Sequence, residues 1–150
     1  MSQWMTYSSS TSAVTSPADT GDWFQLRNGA AVTVEILEIQ VFQHVETTLV
    51  MNALELRRGT GGAGGTGMTE DEWQTLGTTP LATAFSLPTT DVGTADLTLT
   101  YGWNILQPFV WLPTPEIYLH LKPSDHLGIA AVVADSIAGV GCNIIWRELR

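Results

Sequence analysis

Cysteine and lysine are nearly absent: Cys142 stands alone, and so does Lys122. One thiol cannot close an intrachain disulfide, so the fold is expected to rest on its own core, with Cys142 a small buried hydrophobe beside Ile144. A chain of 150 residues can manage this, since it buries roughly 70% of the surface its unfolded form exposes. Charge is scarce too, at 14% against about 25% in typical domains. It is also lopsided, with 15 acids, 6 bases and a net charge of −9. Such a chain repels a phosphate backbone, and its arginines never cluster beyond the pair Arg57 and Arg58, so nucleic acid is not an expected partner. No run of roughly 18 apolar residues occurs, nor a basic, apolar and small-residue leader. The expectation is a soluble chain made in the cytosol, with no membrane partner.

Helical periodicity is missing as well. From Trp23 onward, strand patterns alternate with turn signals, and no segment repeats apolar residues at helical spacing over three turns. Trp23 to Leu26 reads as a short strand. Val32 to Phe42 follows, with a phase slip between Ile36 and Ile39 that predicts a bulge. Further strands are expected from Leu49 to Leu56, Leu81 to Leu87, around Leu97 and Leu99, Ile105 to Leu112, Glu116 to Leu121, Leu127 to Val133 and Cys142 to Leu149. About eight antiparallel strands in one domain, residues 23–150, predict an all-β single jelly roll or β-sandwich. Residues 1–22, rich in Ser and Thr, read as an extended N-terminal arm anchored by Trp4, Met5 and Tyr7, folding back on the domain being the alternative. The one helix candidate is Thr69 to Leu76, where Thr69 and Glu72 make a capping box.

What chemistry the residues carry is thin. Gly59, Gly61 and Gly64 fit G-x-G-x-x-G after a strand, as do Gly62, Gly64 and Gly67. A dinucleotide site needs an apolar helix next, and here Glu70, Asp71 and Glu72 follow, whose charge opposes a pyrophosphate. No Lys follows these glycines, so they are not a P-loop either. The glycine stretch, residues 59–69, therefore reads as a flexible or contact loop. His44, His120 and His126 lack the spacing of a metal set, and although His44 and Glu46 share a strand face, no third ligand is placed; no metal or cofactor is expected. Ser124 and Ser136 lie in turns without a nucleophile elbow, and no catalytic constellation emerges, so an enzyme is not expected.

Two stretches resemble small jelly-roll structural proteins of tailed bacteriophages. One is LELRRGTGGAGGTGMT, in which a strand ends in paired arginines and enters a Gly and Thr loop. The other is PEIYLHLKPSDHLGIAAVVADSIAGVGCNIIWREL, similar to their closing three strands. Together they cover about a third of the chain. The resemblance implies a capsid cement or decoration protein, bound to the major capsid protein on the outer surface of the virion, commonly as a homotrimer, made in the host cytoplasm and without catalytic residues.

Six tryptophans are many for this length. Trp111 and Trp146 sit on apolar strands and read as core. Trp73 and Trp103 read as anchors of subunit contacts, where Trp is enriched. The expected contact residues are thus Trp4, Met5, Tyr7, Arg57, Arg58, Trp73 and Trp103. A receptor- or carbohydrate-binding jelly-roll module of a phage fibre is the competing expectation, and a cupin-like enzyme with His44 or His120 turned into the barrel is a third.

Overall fold

Strands whose apolar side chains alternate with polar ones must bury one face, and two such sheets solve the problem by covering each other. The computed structural model describes residues 3–15, 20–29, 31–44, 51–74, 76–114, 117–133 and 137–150. Among them run β1 (Trp4–Val14), β2 (Asp22–Asn28), β3 (Thr33–Gln43), β4 (Met51–Ala63), β5 (Thr66–Gly67) and β6 (Thr69–Glu72). β7 (Ala82–Ser86), β8 (Thr90–Asn104), β9 (Phe109–Trp111), β10 (Leu119–Leu121), β11 (His126–Ala131) and β12 (Val140–Leu149) complete them. The first sheet has the order β10-β3-β12-β1-β6, with β9 also on β3; the second has the order β5-β7-β2-β11-β4-β8. The all-β antiparallel sandwich expected from the sequence is therefore what forms. It has twelve strands among the described residues rather than about eight, because β1 is too polar, and β5 and β6 are too short, to leave an apolar alternation.

Between the sheets lie Tyr7, Phe24, Leu26, Ile36, Ile39, Leu54, Leu56, Leu121, Leu127 and Trp146, all fully buried. Each such side chain contributes about 1.5–3 kcal/mol of transfer free energy. Cys142 is buried with them, and burial pushes its thiol up, out of the reactive range. The expected slip in β3 is a true bulge. Ile145 faces Glu38 and Trp146 faces Ile36, so Leu37 is the extra residue that lets Ile36 and Ile39 both turn inward.

Three expectations are corrected. The N-terminal segment is extended, but as β1 it is an inner strand of the first sheet, paired on one side with β12 and on the other with β6. Residues 4–14 thus belong to the sandwich, and an arm of residues 1–22 does not describe them. Tyr7 lies opposite Trp146, their ring centroids 6.0 Å apart, so two inward aromatics do the work that an apolar alternation does elsewhere.

The glycine stretch is not a loop: β4 runs through it to Ala63, paired with β8 at Gly61 and Ala63 after two register shifts. Gly61 and Gly62 hold φ of 91° and 92°, which bends the β4–β8 ribbon over the outside of β2. A Cβ on Gly62 would lie 2.7 Å from Gln25 Oε1.

The capping-box segment is a strand as well, β6, which pairs with β1 from Tyr7 to Ser10. Its Glu72 carboxylate serves a loop instead of a helix, accepting from the backbone N–H groups of Gly77 and Thr78 at 2.9 and 3.0 Å and from the Thr78 hydroxyl at 2.7 Å. A helix of two turns is too short to outweigh those bonds and the ladder to β1.

Candidate interaction surfaces

Alternation along β1 sends Trp4 and Thr6 outward and Met5 and Tyr7 inward. Met5 and Tyr7 are core residues and are not available as contacts. Trp103 is the same case: it is 3% exposed, its indole N–H donates to the Gln107 carbonyl at 2.8 Å, and it meets Trp23 edge-on at 6.1 Å. These three expectations fail because a large apolar side chain in a polar or glycine-flanked stretch can still be aimed at the core by strand parity. Trp73 stands clear, 63% exposed, tethered by its backbone N–H to the Thr6 carbonyl at 3.0 Å. Trp111 is partly buried against the core and Trp146 is inside it.

On the outside of the first sheet, neighbouring strands build a charged row crossed by aromatics. Pairing places His120 beside Glu35 and Glu35 beside Arg147. Arg147 grips the buried Glu35 carboxylate with two bonds of 3.0 Å, and its guanidinium covers the Trp4 ring at 4.5 Å and approaches the Tyr118 ring at 5.8 Å. His120 Nε2 lies 3.8 Å from Glu35. Asn143 and Gln40 join at 3.2 Å on the same face.

Beneath the bent ribbon, the outside of the second sheet hides a polar layer. Asp22 accepts from Gln25 at 2.8 Å and from the Val92 N–H at 2.7 Å, and Arg57 lies 3.6 Å away. Burial holds the Asp22 carboxyl above its usual range; the bonds from Val92 and Gln25 oppose this, nearby Asp91 adds to the rise, and Arg57 opposes it. Gly128 is needed opposite, since a Cβ there would lie 2.6 Å from Asp22 Oδ2.

Arg27 closes the layer by donating to Gln25 at 2.8 Å and to the Gly64 carbonyl at 2.7 Å. A Cβ on Gly65 would meet the Ser86 carbonyl at 2.7 Å. The paired arginines point to opposite faces of β4: Arg57 binds Glu55 at 2.8 Å and the Thr20 carbonyl at 3.2 Å, while Arg58 binds Asp96 at 2.8 and 3.1 Å.

The histidines are dispersed. His44 rests edge-on against Phe42 at 5.0 Å, and Glu46 lies outside the described residues. His126 is held below its usual range by burial and by Arg27, with Asp125 opposing. Among the described residues, no three His, Cys, Asp or Glu side chains converge as metal ligands would. Ser124 occupies a turn with φ of 68°, and Ser136 lies outside the described residues.

One apolar surface has no counterpart among the expected contacts. Beside the edge of β8 lies an open groove of about 310 Å³, lined by Leu99, Tyr101, Trp111, Leu112, Pro113 and Ile117. Leu112 is 63% and Ile117 74% exposed. The Trp111 indole N–H donates to the Tyr101 hydroxyl at 3.0 Å and ties the two sides of the groove together. A sequence signal for it exists: residues 97–115 contain no Asp, Glu, Lys or Arg. No protein-family model matches the chain, and no curated protein or solved structure matches it.

Proposed function

We propose that this chain is a structural virion protein, a cement or decoration protein that binds the outside of a phage head and stabilises the lattice of the major capsid protein. The observation that supports this reading is how its side chains are used. Arg27, Arg57, Arg58, Arg147 and Arg150 each bind groups of the chain itself, Arg150 through the fully buried Glu148. Large apolar side chains, meanwhile, stand outward at Trp73, Leu76, Leu112 and Ile117. A surface of that kind recognises a partner by burial, worth about 25 cal/mol per Å², rather than by chemistry on a small molecule. The likeness of residues 54–69 and 115–149 to phage jelly-roll proteins points the same way. Its partners in this reading are the major capsid protein and further copies of itself, and its place is the outer capsid surface of the virion after synthesis in the host cytoplasm.

The test is co-sedimentation of purified heads with wild-type protein and with the surface variant W73A/L76S. Truncation of residues 1–22 is no test of contact, because it removes β1 from the sheet. Saturable binding that the variant weakens supports the proposal, and no binding by folded wild-type protein refutes it.

A carbohydrate-binding module of a fibre is the second reading. It is favoured by the outer row of Trp4, Tyr118 and His120 among Gln40, Asn143 and Glu35. Retention of a glycan, lost in W4A and Y118A, would select it.

A further inference from the structure

The two sheets leave four edges among the described residues, and three of them are blunted. β6 carries Glu70, Asp71 and Glu72, β5 has two residues, and β9 and β10 have three each. β8 is different. It is the terminal strand of the second sheet, and from Leu97 to Asn104 it is paired to β4 without a register shift. That stretch has no charge, no proline and no bulge, the devices that ordinarily keep an edge from pairing. Its free backbone groups can be satisfied fully only by water or by another strand.

We propose that β8 is a self-association edge, on which a second copy of this chain pairs its own β8 antiparallel about a two-fold axis. Electrostatics selects a second copy as the occupant. Two chains of net charge −9 repel through most approaches, and residues 97–115, which hold this edge and most of the groove lining, bear no charge at all.

Strand parity agrees. Leu97, Leu99 and Tyr101 are half-buried and Trp103 is buried, whereas Thr98, Thr100 and Gly102 are exposed. An axis through Thr100 sets Leu99 opposite Tyr101 of the second copy and Thr98 opposite its Gly102, so like faces meet and both apolar faces join. The strongly exposed Leu112 and Ile117 flank the same edge and are covered by the approach. An isologous edge of this kind closes on itself and makes a dimer, not the trimer that the phage resemblance implies. The inference stands apart from the cement reading, since a head-binding protein can be monomeric and a dimer need bind no head.

Sedimentation velocity over a concentration series tests it, together with T100K. Thr100 is exposed and faces Glu55 on β4, so a lysine is accommodated in the monomer while two lysines meet at the axis. Two copies for wild type, with association at least about tenfold weaker in T100K at unchanged thermal stability, is the expected result. Should T100K fail to fold, hydrogen exchange on the wild type decides: the amides of residues 97–104 must slow with rising concentration. A monomer at every concentration, a three-copy species, or a dimer indifferent to T100K and to protection of this strand overturns the proposal.

Discussion

Replacing Glu148 by Gln tests how the sandwich tolerates a carboxylate in its core. Glu148 is fully buried on β12, where its oxygens accept from the backbone N–H groups of Leu81 and Ala82 at 2.9 and 2.8 Å and from the Trp146 indole at 3.3 Å. Arg150 completes the shell at 2.7 and 3.1 Å. Every one of these partners is a donor. Glutamine has the same shape but offers one acceptor oxygen and turns an NH2 toward the rest, so at least one donor loses its bond and Arg150 loses its counter-charge. Bonds to charged groups are worth about 1.5–3 kcal/mol each, and removing one partner of a buried pair costs about 3–5 kcal/mol. Arg150 is partly exposed and can recover water, which lowers the expected loss to about 2–4 kcal/mol. For a domain of this size that is a fall in Tm of roughly 4–16 °C. Urea unfolding followed by tryptophan fluorescence reads it as a lower midpoint at unchanged slope. A loss below about 0.5 kcal/mol would refute the reasoning, because it would mean that the donors do not depend on the charge.

G128A should cost about 1–3 kcal/mol, as its methyl would press on both oxygens of Asp22, and a neutral result in urea unfolding would show that the polar layer is loose. Asp22 also shapes the acid side of the stability curve. Its folded pKa lies above the ordinary 3.8, so between that value and its folded pKa the native state holds more protons than the unfolded one. Stability from this group is therefore full below the unfolded pKa and is lost as pH rises through the folded one. In D22N that falling component should vanish when urea midpoints are compared from about pH 3 to about pH 7, and an unchanged difference curve would contradict the shift. Cys142 should stay unreactive toward a thiol reagent until the protein is unfolded, and rapid labelling of the native state would place it outside the core. W73A/L76S should leave stability within about 0.5 kcal/mol of wild type, since both side chains are exposed.

Where side chains keep a period of two, the sandwich was readable directly. The spacing of Ile36 and Ile39 even located the β3 bulge, because only an extra residue lets both face the same way. β1 was hidden since Ser8, Ser9 and Ser10 carry no apolar signal, and its place in the sheet comes from β12, at the far end of the chain. Glycines at 59–65 read as a loop because propensity is local, while the ribbon they form is held by pairing to β8 and by the close approach of Gln25.

Arg57 and Arg58 looked like free contacts for a similar reason. The acids that claim them include Asp22 and Asp96, both distant in sequence. Of the expected contact residues, Trp73 alone stands fully outward, and the β8 edge was visible only as an uncharged run whose meaning depends on its being the last strand of a sheet.

Electron cryo-microscopy of purified heads incubated with the full chain tests the proposed decoration of a phage head most directly. Decoration predicts density at regular, symmetry-related positions on the outer shell, with the sandwich seated through outward apolar side chains such as Trp73 and Leu76. Bare heads after incubation with folded protein at saturating concentration would contradict it.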